Sequence, residues 1–219
     1  MPRKSAAKSN NIITKQKKLR ILVASDVHGD ARVMKKLAER AYKEKVDVVV
    51  ICGDLTDFDT YSKGMIAPFL EKKKEVLFVV GNHDITAGDV FADKYKIKNL
   101  QFYPVKIKNV GFFGCGTASV GPNVLSEEEI AYYINKGFEK VKDAEKKVLV
   151  THMRPAGSVI EKMIPRLRYS GSEAIREAVK KFKPDVNVCG HIHEAEDLVE
   201  KMGNTLVIGA GPEGKIIEV

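Results

Sequence analysis

The chain has 219 residues, 44% of them hydrophobic, enough to bury one substantial core but too few for a large added specificity cap. The formal net charge of +8 is unevenly placed: seven of the 37 basic residues (Arg3, Lys4, Lys8, Lys15, Lys17, Lys18 and Arg20) precede or open the first strand, and the remainder carries 30 basic against 29 acidic side chains. Residues 1–19 therefore read as a flexible basic tail and 20–219 as one nearly neutral domain, which argues against a basic nucleic-acid-binding body.

Apolar runs bounded by turn residues predict strands at Arg20–Ser25, Val46–Ile51 and Val76–Val80, alternating with helices at Ala31–Lys43 and Thr60–Lys73. A short helical stretch, Asp89–Tyr95, precedes strands around Phe102–Ile107 and Val110–Gly114. Ser126 with Glu129 forms a capping-box signal for a helix to about Asp143. Strands at Val148–Val150 and Val186–Cys189 flank a loop through Pro155–Pro165 and a helix at Ser172–Lys181. Leu198–Glu200, Thr205–Ile208 and Lys215–Val219 read as antiparallel strands joined by Gly-rich turns. The alternation followed by short strands predicts a mixed α/β sandwich rather than a purely doubly wound sheet. The segment from His152 to Gly171 is the candidate for a mobile flap.

All five histidines lie in Asp/Asn/Gly clusters that follow β-rich runs: Asp26-Val27-His28, Gly53-Asp54, Gly81-Asn82-His83-Asp84, Thr151-His152 and Gly190-His191-Ile192-His193. A single Asp-x-His or Gly-Asp after a strand is more often a turn than a ligand pair. Five clusters at equivalent places, with no histidine left over, favour one metal site at the carboxyl ends of the strands. Mixed oxygen and imidazole donors suit Mn, Fe, Zn, Co or Ni better than calcium or magnesium. The number of candidate ligands exceeds one tetrahedral ion, so two divalent ions are expected. Two such ions against two Asp ligands leave a positive site for an anionic substrate.

The ordered set from Asp26 to His193 resembles the signature of the calcineurin-like metallophosphoesterase superfamily, in its compact Icc-like or YfcE-like phosphodiesterase branch. The resemblance implies a four-layer α-β-β-α sandwich of two mixed sheets flanked by helices. It also implies that Asp26, His28 and His193 hold one ion and Asn82, His152 and His191 the other, with Asp54 bridging. Manganese is the expected metal. His83 falls at the family's general-acid position, and Asp84 is expected to orient it through the other ring nitrogen. Hydrolysis of a phosphodiester, with monoesters as further substrates, would proceed by direct attack of metal-bound hydroxide.

Asp57 fits either support for the metal ligands or a helix start with Thr56; Phe58, Asp59 and Tyr61 fit a pocket wall or ordinary packing. Arg154 is a candidate for gripping a phosphate oxygen, with pairing to a carboxylate as the alternative. A protein phosphatase is disfavoured because Phe58 follows Gly-Asp-Leu-Thr-Asp where that branch continues with Arg-Gly. A nuclease acting on DNA or RNA ends, drawn by the basic tail, and a non-catalytic scaffold on the same fold are the alternatives. The partner class is a phosphoester small molecule or nucleotide. No membrane span or secretory signal is expected, and three widely spaced cysteines suggest a reduced, cytoplasmic protein.

Overall fold

The computed structural model describes residues 18–164 and 171–219. Strands β1 (Arg20–Ala24), β2 (Val48–Cys52), β3 (Glu75–Val79) and β4 (Lys98–Asn99) run parallel in one sheet, and β11 (Lys215–Glu218) adds antiparallel to β1. The second sheet has the order β5 (Val105–Ile107), β6 (Val110–Cys115), β7 (Lys146–Thr151), β8 (Val186–Cys189), β10 (Thr205–Gly209) and β9 (Val199–Met202). Its β6, β7, β8 and β10 are parallel neighbours, with antiparallel hairpin strands at both edges.

Side-chain alternation assigns the layers. From β1, Ile21 and Val23 pack between the sheets while Leu22 and Ala24 face helices; from β2, Val48, Val50 and Cys52 point inward and Val49 and Ile51 outward. Phe112, Val148, Val150 and Val188 of the second sheet meet them in the central layer. Helices α1 (Ala31–Lys43), α2 (Ala67–Glu71) and α3 (Ala87–Tyr95) cover the first sheet, and α4 (Glu127–Val141) and α6 (Glu173–Phe182) cover the second through Ile130, Ile134, Ile175 and Val179. The result is the expected α-β-β-α sandwich. Asp30, Ser126 and Ser172 accept backbone N–H groups at the starts of α1, α4 and α6, and Ser126 with Glu129 completes the capping box.

Several segments differ from expectation for physical reasons. The helix read over Thr60–Lys73 shrinks to α2, because Gly64 turns at φ +91° and Pro68 is tolerated only in a first helical turn. The last strand does not join the β9–β10 hairpin but crosses to β1. The loop after His152 contains a further helix, α5 (Val159–Met163), and residues 165–170 of the expected flap lie outside the described residues. Residues 1–17 of the expected tail also lie outside them, but Leu19 does not behave as tail: it is buried between the sheets and exchanges two backbone hydrogen bonds with Val219. Among the described residues no helix is long and apolar enough to cross a membrane. All three cysteines are buried and free.

Candidate metal centre

The candidate ligands leave the carboxyl ends of β1, β2, β3, β7 and β8, so both sheets deliver them to one rim. Beyond the strands, backbone pairing continues from Asp26 N–H to Gly53 O (3.1 Å), His28 N–H to Asp54 O (3.0 Å) and Gly190 N–H to His152 O (2.9 Å). The two sheets are joined here by His191 N–H, which donates to the Asp26 carboxylate, and by His152 Nδ1, 2.7 Å from Cys52 O.

Asp26, His28, Asp54 and His191 all adopt positive φ, between +43° and +69°. Such a backbone costs about 1–3 kcal/mol per residue and persists where its surroundings enforce it. Asp, Asn and His tolerate it better than most side chains, so the ligand types also suit these turns. Gly53 shows how close the packing is: a Cβ there would lie 2.4 Å from His152 Nδ1, and its own φ is +98°.

Asp54 occupies the middle. Its Oδ1 accepts from His83 N–H (2.9 Å), while Oδ2 lies 3.5 Å from His152 Nε2 and 4.0 Å from His28 Nε2. Asp26 Oδ1 is 3.7 Å from His193 Nε2, and Asn82 Oδ1 is 3.0 Å from His152 Nε2. Three sets of donor atoms lie mutually within 4.8 Å: Asp26, His28 and His193; His28, Asp54 and His83; and Asp26, Asp54 and His152. The His191 ring stands beside that of His152, with centroids 4.9 Å apart. All seven expected ligands and His83 are thus brought together.

The donor chemistry fits a cation. Neutral His152, donating from Nδ1 to Cys52 O, turns a bare Nε2 lone pair toward Asn82 Oδ1 and Asp54 Oδ2. Three electron-rich atoms at that spacing need a positive charge among them, either a proton on His152 or a metal ion. The side chains alone choose the proton. Complete burial works against charged His152, but the Asp54 carboxylate outweighs it and raises the imidazole to about 9. Burial similarly opposes ionised Asp54, yet His152 holds it well below the usual carboxylate range. His191 is pushed down to about 3 by burial and by its charged neighbour His152.

Two expected roles are corrected. Asp84 does not reach the His83 ring: its buried carboxylate accepts from the backbone N–H groups of Leu55, Thr56 and Gly81 and from Thr56 Oγ1. Asp57 Oδ1 instead lies 3.1 Å from His83 Nδ1, and no helix starts at Thr56. Arg154 is fully buried and pairs with Glu200 at 2.6 Å, behind the rim rather than in it. Glu200 also accepts from Val159 N–H at the start of α5, so Arg154 ties this loop to β9 and its guanidinium is closed off from the cleft in this structure. Of the undecided residues, Phe58 lines the cleft, Asp59 caps α3 and Tyr61 packs edge-on against Phe91.

The rim opens into a cleft of about 660 Å³ walled by His28, His83, His193, Phe58 and Pro122 among others. A two-sheet sandwich that gathers His, Asp and Asn donors at one rim has the makings of a metal-binding site. Residues 19–195 match the calcineurin-like phosphoesterase family, and the chain belongs to it. It is 31% identical over 212 residues to the uncharacterized protein MJ1162 of Methanocaldococcus jannaschii, covering 92% of each chain. The protein TT1561 of Thermus thermophilus shares the fold with a TM-score of 0.72 at 16% identity, over 92% of this chain and 98% of that one. A dimetal phosphatase from Danio rerio superposes with a TM-score of 0.62 at 13% identity, over 90% and 88% of the two chains.

Proposed function

We propose that the protein is a dinuclear metal-dependent hydrolase of phosphodiesters, with phosphomonoesters as secondary substrates. The carrying observation is the position of Asp54 Oδ2 between His28 and His152, which suits a carboxylate shared by two ions. Asp26, His28 and His193 would hold one ion, Asn82, His152 and His191 the other. Manganese is our first choice among first-row metals. Bound together, such ions lower the pKa of water to near 7 and offset phosphate charge.

The chain supplies the rest. Asp54 Oδ1 accepts the His83 N–H, so the loop carrying His83 is set by a metal ligand. Asp57 receives His83 Nδ1–H, which leaves Nε2 to deliver a proton to the departing alkoxide. Asp84 fixes the turn beneath both by gathering the N–H groups of Leu55, Thr56 and Gly81. Water attacks the phosphorus directly; this scheme needs no Ser or Cys nucleophile.

Hydrolysis of bis(nitrophenyl) phosphate beside nitrophenyl phosphate, with Mn²⁺ or chelator, tests the proposal. Diester turnover should require metal, and His83→Ala should lower kcat by about 10²–10⁴-fold. Turnover unaffected by chelation, or none of either ester by protein carrying two ions, would overturn it.

A further inference from the structure

Phe58 is exposed over 54% of its surface, yet its backbone is held at φ +49°, where a bulky side chain is rarely found. Neither burial nor local preference accounts for that placement. Its neighbours enforce it. The Asp59 carboxylate accepts the N–H groups of Ile85, Thr86 and Ala87 and the Thr86 hydroxyl, and Asp59 N–H donates to His83 O. On the other side, Asp57 and Thr60 exchange two backbone hydrogen bonds across the turn.

This clamp lays the Phe58 ring on the His83 imidazole, with centroids 4.1 Å apart and planes 30° apart. The ring extends the imidazole surface into the cleft, whose lining also includes Val120, Pro122 and Ile192. The loop bearing Val120 and Pro122 is anchored by Asn123, whose amide donates to Gly81 O and Asp84 O. The cleft therefore combines candidate ligands with apolar and aromatic lining, of which Phe58 lies directly against His83.

We propose that Phe58 is a specificity-determining residue: it forms a stacking platform for the leaving group, and the preferred substrates are phosphoesters whose leaving alcohol carries a planar aromatic ring. The inference rests on the hydrolase reading above, because a leaving group that takes its proton from His83 lies against the Phe58 ring. Flat rings gain from offset or edge contacts with an aromatic face in a way that saturated rings of equal size do not.

The test is equilibrium binding of benzylphosphonate and cyclohexylmethylphosphonate to the Mn²⁺-loaded full chain, read by calorimetry for wild type and Phe58→Leu. Wild type should favour the benzyl compound by about three- to tenfold, and the leucine variant should bind both alike. The ratio cancels any common effect of the substitution on His83. Equal affinities in wild type, or a preference that survives in Phe58→Leu, would overturn the platform. Failure to bind either phosphonate while a phosphoester is still hydrolysed would also overturn it and leave the hydrolase reading intact. No binding and no hydrolysis would remove both. The non-hydrolysable 5′-methylenephosphonate analogue of adenosine 5′-monophosphate in the same titration separates the two sources of a ring: tighter, Phe58-dependent binding identifies a nucleobase carried on a sugar, and weaker binding an aryl group next to the phosphate.

Discussion

Among the neighbours of His83, three have separable jobs: Asp54 fixes its backbone N–H, Asp57 its ring nitrogen and Phe58 its ring face. The Asp57 side chain is exposed, and its backbone bonds to Thr60 survive the substitution, so Asp57→Asn should cost activity without costing fold. We expect a fall in kcat of roughly 10–100-fold with metal content and thermal stability retained, by analogy with residues that orient metal ligands. Asp84→Asn should behave in the opposite way. Its amide would turn N–H donors toward the N–H groups of Leu55, Thr56 and Gly81, destabilising the fold by about 1–3 kcal/mol. Steady-state kinetics and urea unfolding of both variants check the pair. Equal loss of stability in both would show that Asp57 is structural. Sequence spacing favours Asp84 because it adjoins His83, but adjacent residues after a strand point apart, and the residue that reaches the ring comes from another turn. That relation is not readable along the chain.

At the scale of elements, the strand ends that carry the candidate ligands are legible because each is an apolar run followed by Gly, Asp, Asn or His. Helices α1, α4 and α6 were legible through their caps and apolar spacing. What misled was local: apolar residues between Thr60 and Lys73 keep a helical spacing that Gly64 and Pro68 forbid. Strand partners were the least visible, since the edge run Lys215–Glu218 suits either sheet until the core decides. Arg154 belongs here too, because nothing in its neighbours signals that Glu200 lies within reach. Removing one member of such a buried pair strands the other charge. Glu200→Ala should therefore cost about 3–5 kcal/mol in chemical unfolding while KM per folded molecule stays unchanged. A raised KM with full stability would return Arg154 to the substrate site.

Across the whole molecule, the charge at the rim links pH, metal and stability. His152 is raised to about 9 from an ordinary 6.5, so its contribution is complete below about pH 6.5 and is lost as pH rises toward 9. His191, lowered to about 3, contributes above about pH 6.5 and loses that contribution as pH falls. Asp54, held below its usual range, adds a further loss at strongly acidic pH. Chelated protein should thus be most stable near pH 6.5, with a melting temperature lower by on the order of 5 °C at pH 9. Saturating Mn²⁺ should flatten the alkaline side, because an ion replaces the proton on His152. Thermal melts from pH 5 to 9 with chelator and with Mn²⁺ check this; an alkaline loss identical in both would refute it.

The division of the donor atoms between the two sheets has a consequence for how the chain comes apart. Asp26, His28, Asp54 and Asn82 follow strands of one sheet, while His152, His191 and His193 follow strands of the other. On the proposed ligand assignment, ions shared across that boundary would act as rivets between two leaves. Neither leaf would peel away without breaking coordination, so a loaded molecule would resist partial opening as well as complete unfolding. Metal supply would then set how long each copy lasts as well as whether it works.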